Sequence, residues 1–294
     1  MSRMKLAVIV SFVAALFAAP VSLFAQGSAF TNVNCNAPGV HLQQHIDNAP
    51  TGATLGILGS CADGPFIIRR DVLLVGGLVH SLSSPNGSNY VLLITEGARV
   101  RMHDLRFNAQ GVHKGIVVKD GSTLVAGANV AVENALGVAI NVIENSTLTL
   151  LDSRLRLNSS GLTLSDSSHA SIGWSSISDN SFLGVTLEAG STVTIHDTQI
   201  MNNGHSGLLI KGLSVATLND NTTISGNQFV GLRVEFAHSG VRIFGAPSTI
   251  ENNSPIDVAC ISGSFMEVAQ PVISLTKLAG IDPGCMVPAP IFVP

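Results

Sequence analysis

Charge is scarce in this chain. Asp, Glu, Lys and Arg make up 12% of its 294 residues, about half the share usual in soluble domains. Surface polarity therefore falls to Ser, Thr and Asn, and no basic patch for nucleic acid is visible. Wide aromatic rings are scarcer still. One Trp (Trp174) and one Tyr (Tyr90) stand beside 12 Phe, which is little for a cleft that grips sugars by stacking. The four cysteines contain no Cys-x-x-Cys, so the common redox motif is excluded. No apolar run beyond the first 25 residues is long enough to cross a bilayer, so no membrane span is expected in the mature chain. The Gly-Gly-x-Gly-x-Asp nonapeptide and the Leu/Asn consensus of leucine-rich repeats are both missing.

What is present begins with a secretion signal over residues 1–25. Arg3 and Lys5 form its positive start, Leu6 to Ala19 is uncharged and apolar, and Leu23-Phe24-Ala25 ends on a small residue. Cleavage near Ala25 delivers the mature chain to a periplasm or to the outside. Losing Arg3 and Lys5 deepens the formal net charge of −4 by two.

A short phrase then returns about every 23 residues: Gly115-Ile-Val-Val, Gly137-Val-Ala-Ile, Gly161-Leu-Thr-Leu, Gly184-Val-Thr-Leu, Gly207-Leu-Leu-Ile and Gly231-Leu-Arg-Val. A fixed period in this range means stacked units. Within one unit, Val185 and Leu187 alternate with Thr186 and Glu188, the pattern of a half-buried strand. Gly190-Ser191 turns the chain. Val193 and Ile195 mark a second strand, Asp197 a bend, Ile200 a short third strand, and Asn203-Gly204 closes the unit. Asn also follows three residues after an apolar residue in unit after unit, as Asn108, Asn134, Asn158, Asn180, Asn203, Asn227 and Asn253. Asn tolerates left-handed turns, and at ~4.8 Å per rung such side chains can bond one another along the axis. The expectation is an asparagine ladder.

The Gly-Leu/Val-x-Leu/Ile starts, the Ser-x-Val/Leu-x-Ile/Leu second strands and the Asn series resemble the right-handed parallel β-helix, the fold of the pectate-lyase-like superfamily, over about residues 40–270. The fold expected is all-β, a right-handed parallel β-helix of about ten coils. Val40 to Ala49 reads as a short cap helix with Leu42 and Ile46 on one face. The organisation expected is a signal over 1–25, a cap over 26–52, the β-helix over 53–270 and a tail over 271–294. Early strands are expected at Thr54–Ile57, Phe66–Ile68 and Val72–Val75. Four cysteines allow three pairings. An oxidising compartment favours bonding and the stacked units favour local pairs, Cys35–Cys61 and Cys260–Cys285, one staple at each end.

Candidate sites are sparse. Four residues after each glycine, Glu188, Lys211 and Glu235 point outward on adjacent rungs with Arg233 beside them. The resemblance implies that the outer face of one sheet forms a substrate groove, and a carboxylate flanked by cations could bind or deprotonate an acidic sugar there. The bland reading is a charge ladder that serves register and solubility. Asp152, Trp174, Asp197 and Asp220 align after the second strand. Two carboxylates stacked ~4.8 Å apart need a cation or hydrogen bonds. Calcium, at Asp197 and Asp220, is the only cofactor this suggests. Trp174 is the best candidate for stacking on a ligand. His103-Asp104 and His196-Asp197 share a register four rungs apart. His41 and His45 lie at i,i+4 on the cap helix.

Two functions follow. One is a non-catalytic extracellular or envelope protein whose faces contact polysaccharide or neighbouring surfaces. The alternative is a polysaccharide lyase or glycoside hydrolase of the pectate-lyase-like type. The short, even coils lack the loop insertions that wall a catalytic cleft, which favours the first. The oligomeric state is not legible.

Overall fold

A computed structural model of the chain describes residues 29–77, 81–236, 238–245, 248–261, 263–268, 273–275, 278–281 and 285. The secretion signal expected over 1–25 and the proline-rich end, 288–294, lie outside these residues. The described chain winds into three parallel sheets of 11, 10 and 10 strands. One coil shows the scheme. Val185–Leu187 lies in a glycine-led sheet, Thr192–His196 in a middle sheet and Gln199–Met201 in a short-strand sheet. The next coil adds Leu208–Ile210, Val215–Leu218 and Thr223–Ser225 in register above them. Alternation decides which side chains turn in: Val193 and Ile195 are buried while Thr192 is exposed. Inward residues therefore stack on their equivalents in the next coil. Ile177, Ile200, Ile224 and Ile250 form one such buried column. Each fully buried aliphatic side chain contributes about 1.5–3 kcal/mol.

The glycine column has a steric cause. A Cβ at Gly184 would sit 2.4 Å from the Gly207 carbonyl oxygen and 2.7 Å from Cγ2 of Ile200, one coil on. Gly115, Gly161 and Gly207 meet a branched Val132, Ile177 or Ile224 in the same way. Gly137 does not belong to this column. The register places Ala139 there, level with Gly115 and Gly161. The side chain one coil above Ala139 is Leu155, which is unbranched at Cβ, so a methyl group fits.

All three corners of the coil follow one rule: a residue at positive φ faces out, and a small polar residue after it faces in. At the corner leading into the glycine-led sheet, Nδ2 of Asn158 donates to Oδ1 of Asn180 at 3.1 Å. Asn180 donates to Asn203, Asn203 to Asn227, Asn227 to Asn253 and Asn253 to Oδ1 of Asp257, at 2.8 to 2.9 Å. The same amides reach a carbonyl of the preceding coil, such as Ile177 O from Asn203. Every one of these Asn is buried. Asn108 and Asn134 are not rungs of this ladder. Asn134 donates to Asn108 at 3.0 Å in a half-exposed pair, and Ala135 occupies the rung position, its N–H bonded to Oδ1 of Asn158. The ladder is thus five asparagines and one aspartate. Ser146, Ser168 and Ser191 line the corner that enters the middle sheet, each N–H donating to the serine hydroxyl one coil on. At the third corner the Ser153 N–H donates to the Ser175 hydroxyl and the Ser175 N–H to the Thr198 hydroxyl. At a corner the ladder of backbone bonds is interrupted, and these hydroxyls and amides satisfy the N–H groups it leaves over.

The ends are closed as well. Helix α1 (Leu42–Asn48) buries Leu42 and Ile46. Its Gln43 amide accepts from the Ile67 N–H and donates to the Ile67 carbonyl. A side chain thereby stands in for the missing next strand on the edge of the glycine-led sheet. Cys35–Cys61 and Cys260–Cys285 are bonded, as expected. The three early strands lie where they were expected, at Ala53–Leu58, Phe66–Ile68 and Val72–Val75. Strand pairing runs past both bounds read from the sequence. Phe30–Asn34 already pairs with Ala53–Leu58, and Ile273–Leu275 and Leu278–Ile281 extend two sheets at the far end.

Candidate functional site

On the glycine-led face the outward residues after each strand form the expected column. Nζ of Lys211 lies 3.0 Å from Oε2 of Glu188, one coil below. Arg233 pairs within its own strand, 2.8 Å from Oε2 of Glu235. Both carboxylates are thus committed to cations. Other outward positions of this sheet are not open: Val117, Asn141, Thr186 and Leu209 are buried. Oγ1 of Thr186 has no hydrogen-bond partner among the described residues.

Beside this column stands an aromatic stack that sequence reading missed. Phe182, His205 and Phe229 occupy the same turn in successive coils, linked through backbone bonds. The ring centroids are 4.8 Å apart from Phe182 to His205 and 4.4 Å from His205 to Phe229. The Arg233 guanidinium caps the stack, 5.4 Å from the Phe229 centroid. Burial holds the His205 imidazole below its ordinary pKa, and the nearby Arg233 charge adds to the effect, while Glu235 opposes it. A neutral His205 lets the three rings stack without an added charge. The available signal was the spacing of Phe182, His205 and Phe229, which repeats the coil period. One member of the column is a histidine, so the phenylalanines do not read as a series.

The expected column Asp152, Trp174, Asp197, Asp220 needs one correction. The residue above Asp197 is Asn221, because Thr198 pairs with the coil at Thr222 and Thr223. Nδ2 of Asn221 donates to Oδ1 of Asp197 at 3.0 Å, and Nδ1 of His196 lies 3.3 Å from Oδ2. Asp197 is thus held by hydrogen bonds from Asn221 and His196. Among the described residues no group of three or more His, Cys, Asp or Glu could hold a metal. His103, Asp104 and Asn129 repeat the arrangement four rungs away. There the His103 hydrogen bond, followed by that from Asn129, holds the Asp104 carboxyl below its usual range. His41 is the N-cap of helix α1, one residue outside it, and is bonded to Asp63 at 3.1 Å.

Two further clusters came to light. Glu96, Asp120, Glu144 and Asp166 make a carboxylate column, one per coil, at the corner that enters the middle sheet. The Thr95 hydroxyl, then the bond with Glu144, holds Asp120 at about 2. Sharing with Asp120 pushes Glu144 up. Arg69 and Lys119 answer the remaining charge at 2.9 and 3.3 Å. On the short-strand sheet, Glu133 is buried between Arg106 and Arg156, at 2.5 and 2.7 Å.

The backbone is similar to that of an alginate lyase from Paenibacillus sp. str. FPU-7, with a TM-score of 0.64 and 13% identity over 88% of this chain and 99% of that one. It is also similar to pectate lyase Pel9A, with a TM-score of 0.62 and 11% identity over 90% of this chain and 81% of that one. At such identities the likeness is one of fold. No curated protein matches the chain in sequence. Residues 90–254, more than half of the chain, match the family described as right-handed β-helix region, and the chain belongs to that family of right-handed parallel β-helices.

Proposed function

We propose that the protein is a secreted β-helix that binds polysaccharide along its glycine-led face without cleaving it. The observation that carries this reading is the stack of Phe182, His205 and Phe229 beside the Glu188, Lys211, Arg233 and Glu235 column. Rings repeated at the coil spacing offer apolar platforms along the axis, and the neighbouring charges offer hydrogen bonds to hydroxyl or carboxylate groups. The short, even coils, with no loop insertion among the described residues to wall a catalytic cleft, support binding over chemistry. The two disulfides are compatible with an oxidising compartment, periplasmic or extracellular.

The test is incubation of the purified protein with plant, algal and bacterial polysaccharides, with and without calcium. Melting temperature, unsaturated products and new reducing ends are followed together. A polysaccharide-dependent rise in melting temperature that is lost in Phe182→Ala and Phe229→Ala, with no product, supports the reading. Product that disappears in Glu188→Gln or Lys211→Ala replaces it with a lyase or hydrolase.

A further inference from the structure

We propose that the corner between the middle and short-strand sheets carries a second, separate carbohydrate site, centred on Trp174 and built for a single neutral pyranose ring. An open cleft of about 330 Å³ lies there, lined by Asp152, Arg154, Trp174, Ser176, Asp197 and Gln199. That volume is at the small end of ligand sites and suits one ring better than a chain segment.

Trp174 is the anomaly of its column. It sits at φ 49°, between Asp152 and Asp197 at φ 46°. Asp and Asn tolerate the left-handed region, and a bulky ring is strained there. The indole is nevertheless 49% exposed, so packing does not repay that strain. It is braced from one side. The His196 ring lies edge-on to it, centroids 4.6 Å apart at 87°. That imidazole rests where a Gly173 side chain would be, since a Cβ there would come within 2.3 Å of it. Asp197 holds His196, and Asn221 holds Asp197. The chain Asn221–Asp197–His196 thus orients the indole before any ligand arrives. The copy of this triad at His103, Asp104 and Asn129 braces no aromatic ring among the described residues, so Trp174 is what distinguishes the two corners.

The lining chemistry selects the ligand. The Asp152 carboxylate and the Arg154 guanidinium are exposed and have no side-chain partner among the described residues. They offer an acceptor and a forked donor to adjacent hydroxyls, and Gln199 offers one of each. The indole offers a face to the C–H side of a sugar ring. Two carboxylates against one guanidinium leave the cleft negative, which disfavours uronates and other anionic sugars.

Trp174 is the sole tryptophan of the chain, so indole fluorescence of the intact protein reports on this corner alone. Titration with glucose, galactose, mannose and xylose is expected to give a saturable change with at least one of them, in the millimolar range. Galacturonate is expected to give none. Asp152→Asn and Arg154→Ala should each weaken the response about five- to tenfold. Trp174→Asn removes the probe, so it is read by melting: the sugar-dependent rise is lost while the unliganded melting temperature stays the same or increases. Phe182→Ala should leave the Trp174 response intact, which separates this site from the one on the glycine-led face. A response to galacturonate as strong as to the neutral sugars, or no saturable response to any neutral sugar, overturns the proposal.

Discussion

Two corners of the same coil have the same backbone and opposite uses. At the corner before the glycine-led sheet, the polar side chains turn inward, and Asn158 to Asn253 spend every hydrogen bond on one another and on neighbouring carbonyls. At the corner after the middle sheet, Ser153, Ser175 and Thr198 take the inward role, and the positive-φ positions Asp152, Trp174 and Asp197 point to solvent. One corner is constrained along its whole length, because each rung is the donor or acceptor of the next. The other is linked from coil to coil chiefly on its inside, so an outer position such as Trp174 can be changed without breaking a ladder bond. A solenoid can acquire recognition chemistry at such outer positions while the buried columns hold register.

The widest test of this contrast is Asn203→Ala. It removes both ladder bonds and leaves buried partners unsatisfied, a loss of about 2–4 kcal/mol by thermal or denaturant unfolding. Asn134→Ala, half-exposed but at φ 66° where Asn is tolerated better than Ala, should cost only about 1 kcal/mol. Equal costs for the two would refute the division into rung and pair. Gly184→Ala comes next, at about 2–3 kcal/mol, because the new methyl group meets backbone and Ile200. At the outer corner the sign reverses: Trp174→Asn should be neutral or stabilise by about 1 kcal/mol, by relieving the strained backbone. A clear loss of stability there would mean that the indole is a structural part.

Smaller effects are read by titration. With its pKa held below the ordinary 6.5, His205 favours the neutral form in the folded state. Its contribution to stability is present above the unfolded value and lost as pH falls through the folded one. Nuclear magnetic resonance should show His205 titrating below 6.5, and Arg233→Ala should raise that value; a His205 titration at or above 6.5 contradicts the stack. The smallest effect is at the second triad. Asn129→Ala should raise the Asp104 carboxyl toward 3.8. Asp104 has the opposite character, stabilising above its unfolded value and losing that as pH falls through the lower, folded one.

Buried periodicity was legible in the sequence, and outer chemistry was legible only in part. Val185, Leu187, Val193, Ile195 and Ile200 alternate in a way that only stacked strands satisfy, and the cap helix and both disulfides follow from the same logic. Register slips of one or two residues were not legible. Gly137 stands two residues before the true column position, Ala139, and a shift of two keeps the same side of the strand, so the pattern of inward residues hid the error. Asp220 and Asn221 are adjacent and both suit a turn, and only the pairing of Thr223 decides between them. Phe182 and Phe229 carry no outward signal of their own, because Phe is usually buried. Their neighbours in the stack are visible only once coils are superposed.

The aspartate that ends the ladder has a consequence of its own. Each Asn of the series gives its amide hydrogen toward the C-terminal end and takes one from the side before it. Asp257 receives from the Asn253 backbone N–H and side chain on one carboxylate oxygen. A carboxylate has nothing to hand on, so it dictates the orientation of all five amides at once. The array therefore has a sense of direction and a stop. A coil duplicated anywhere between Asn158 and Asn253 would inherit a matching giver below and taker above. A coil added after Asp257 would find the line closed. Duplication in the middle lengthens the amide line, while the strands that follow Asp257, such as Phe265–Val268 and Ile273–Leu275, stack without it.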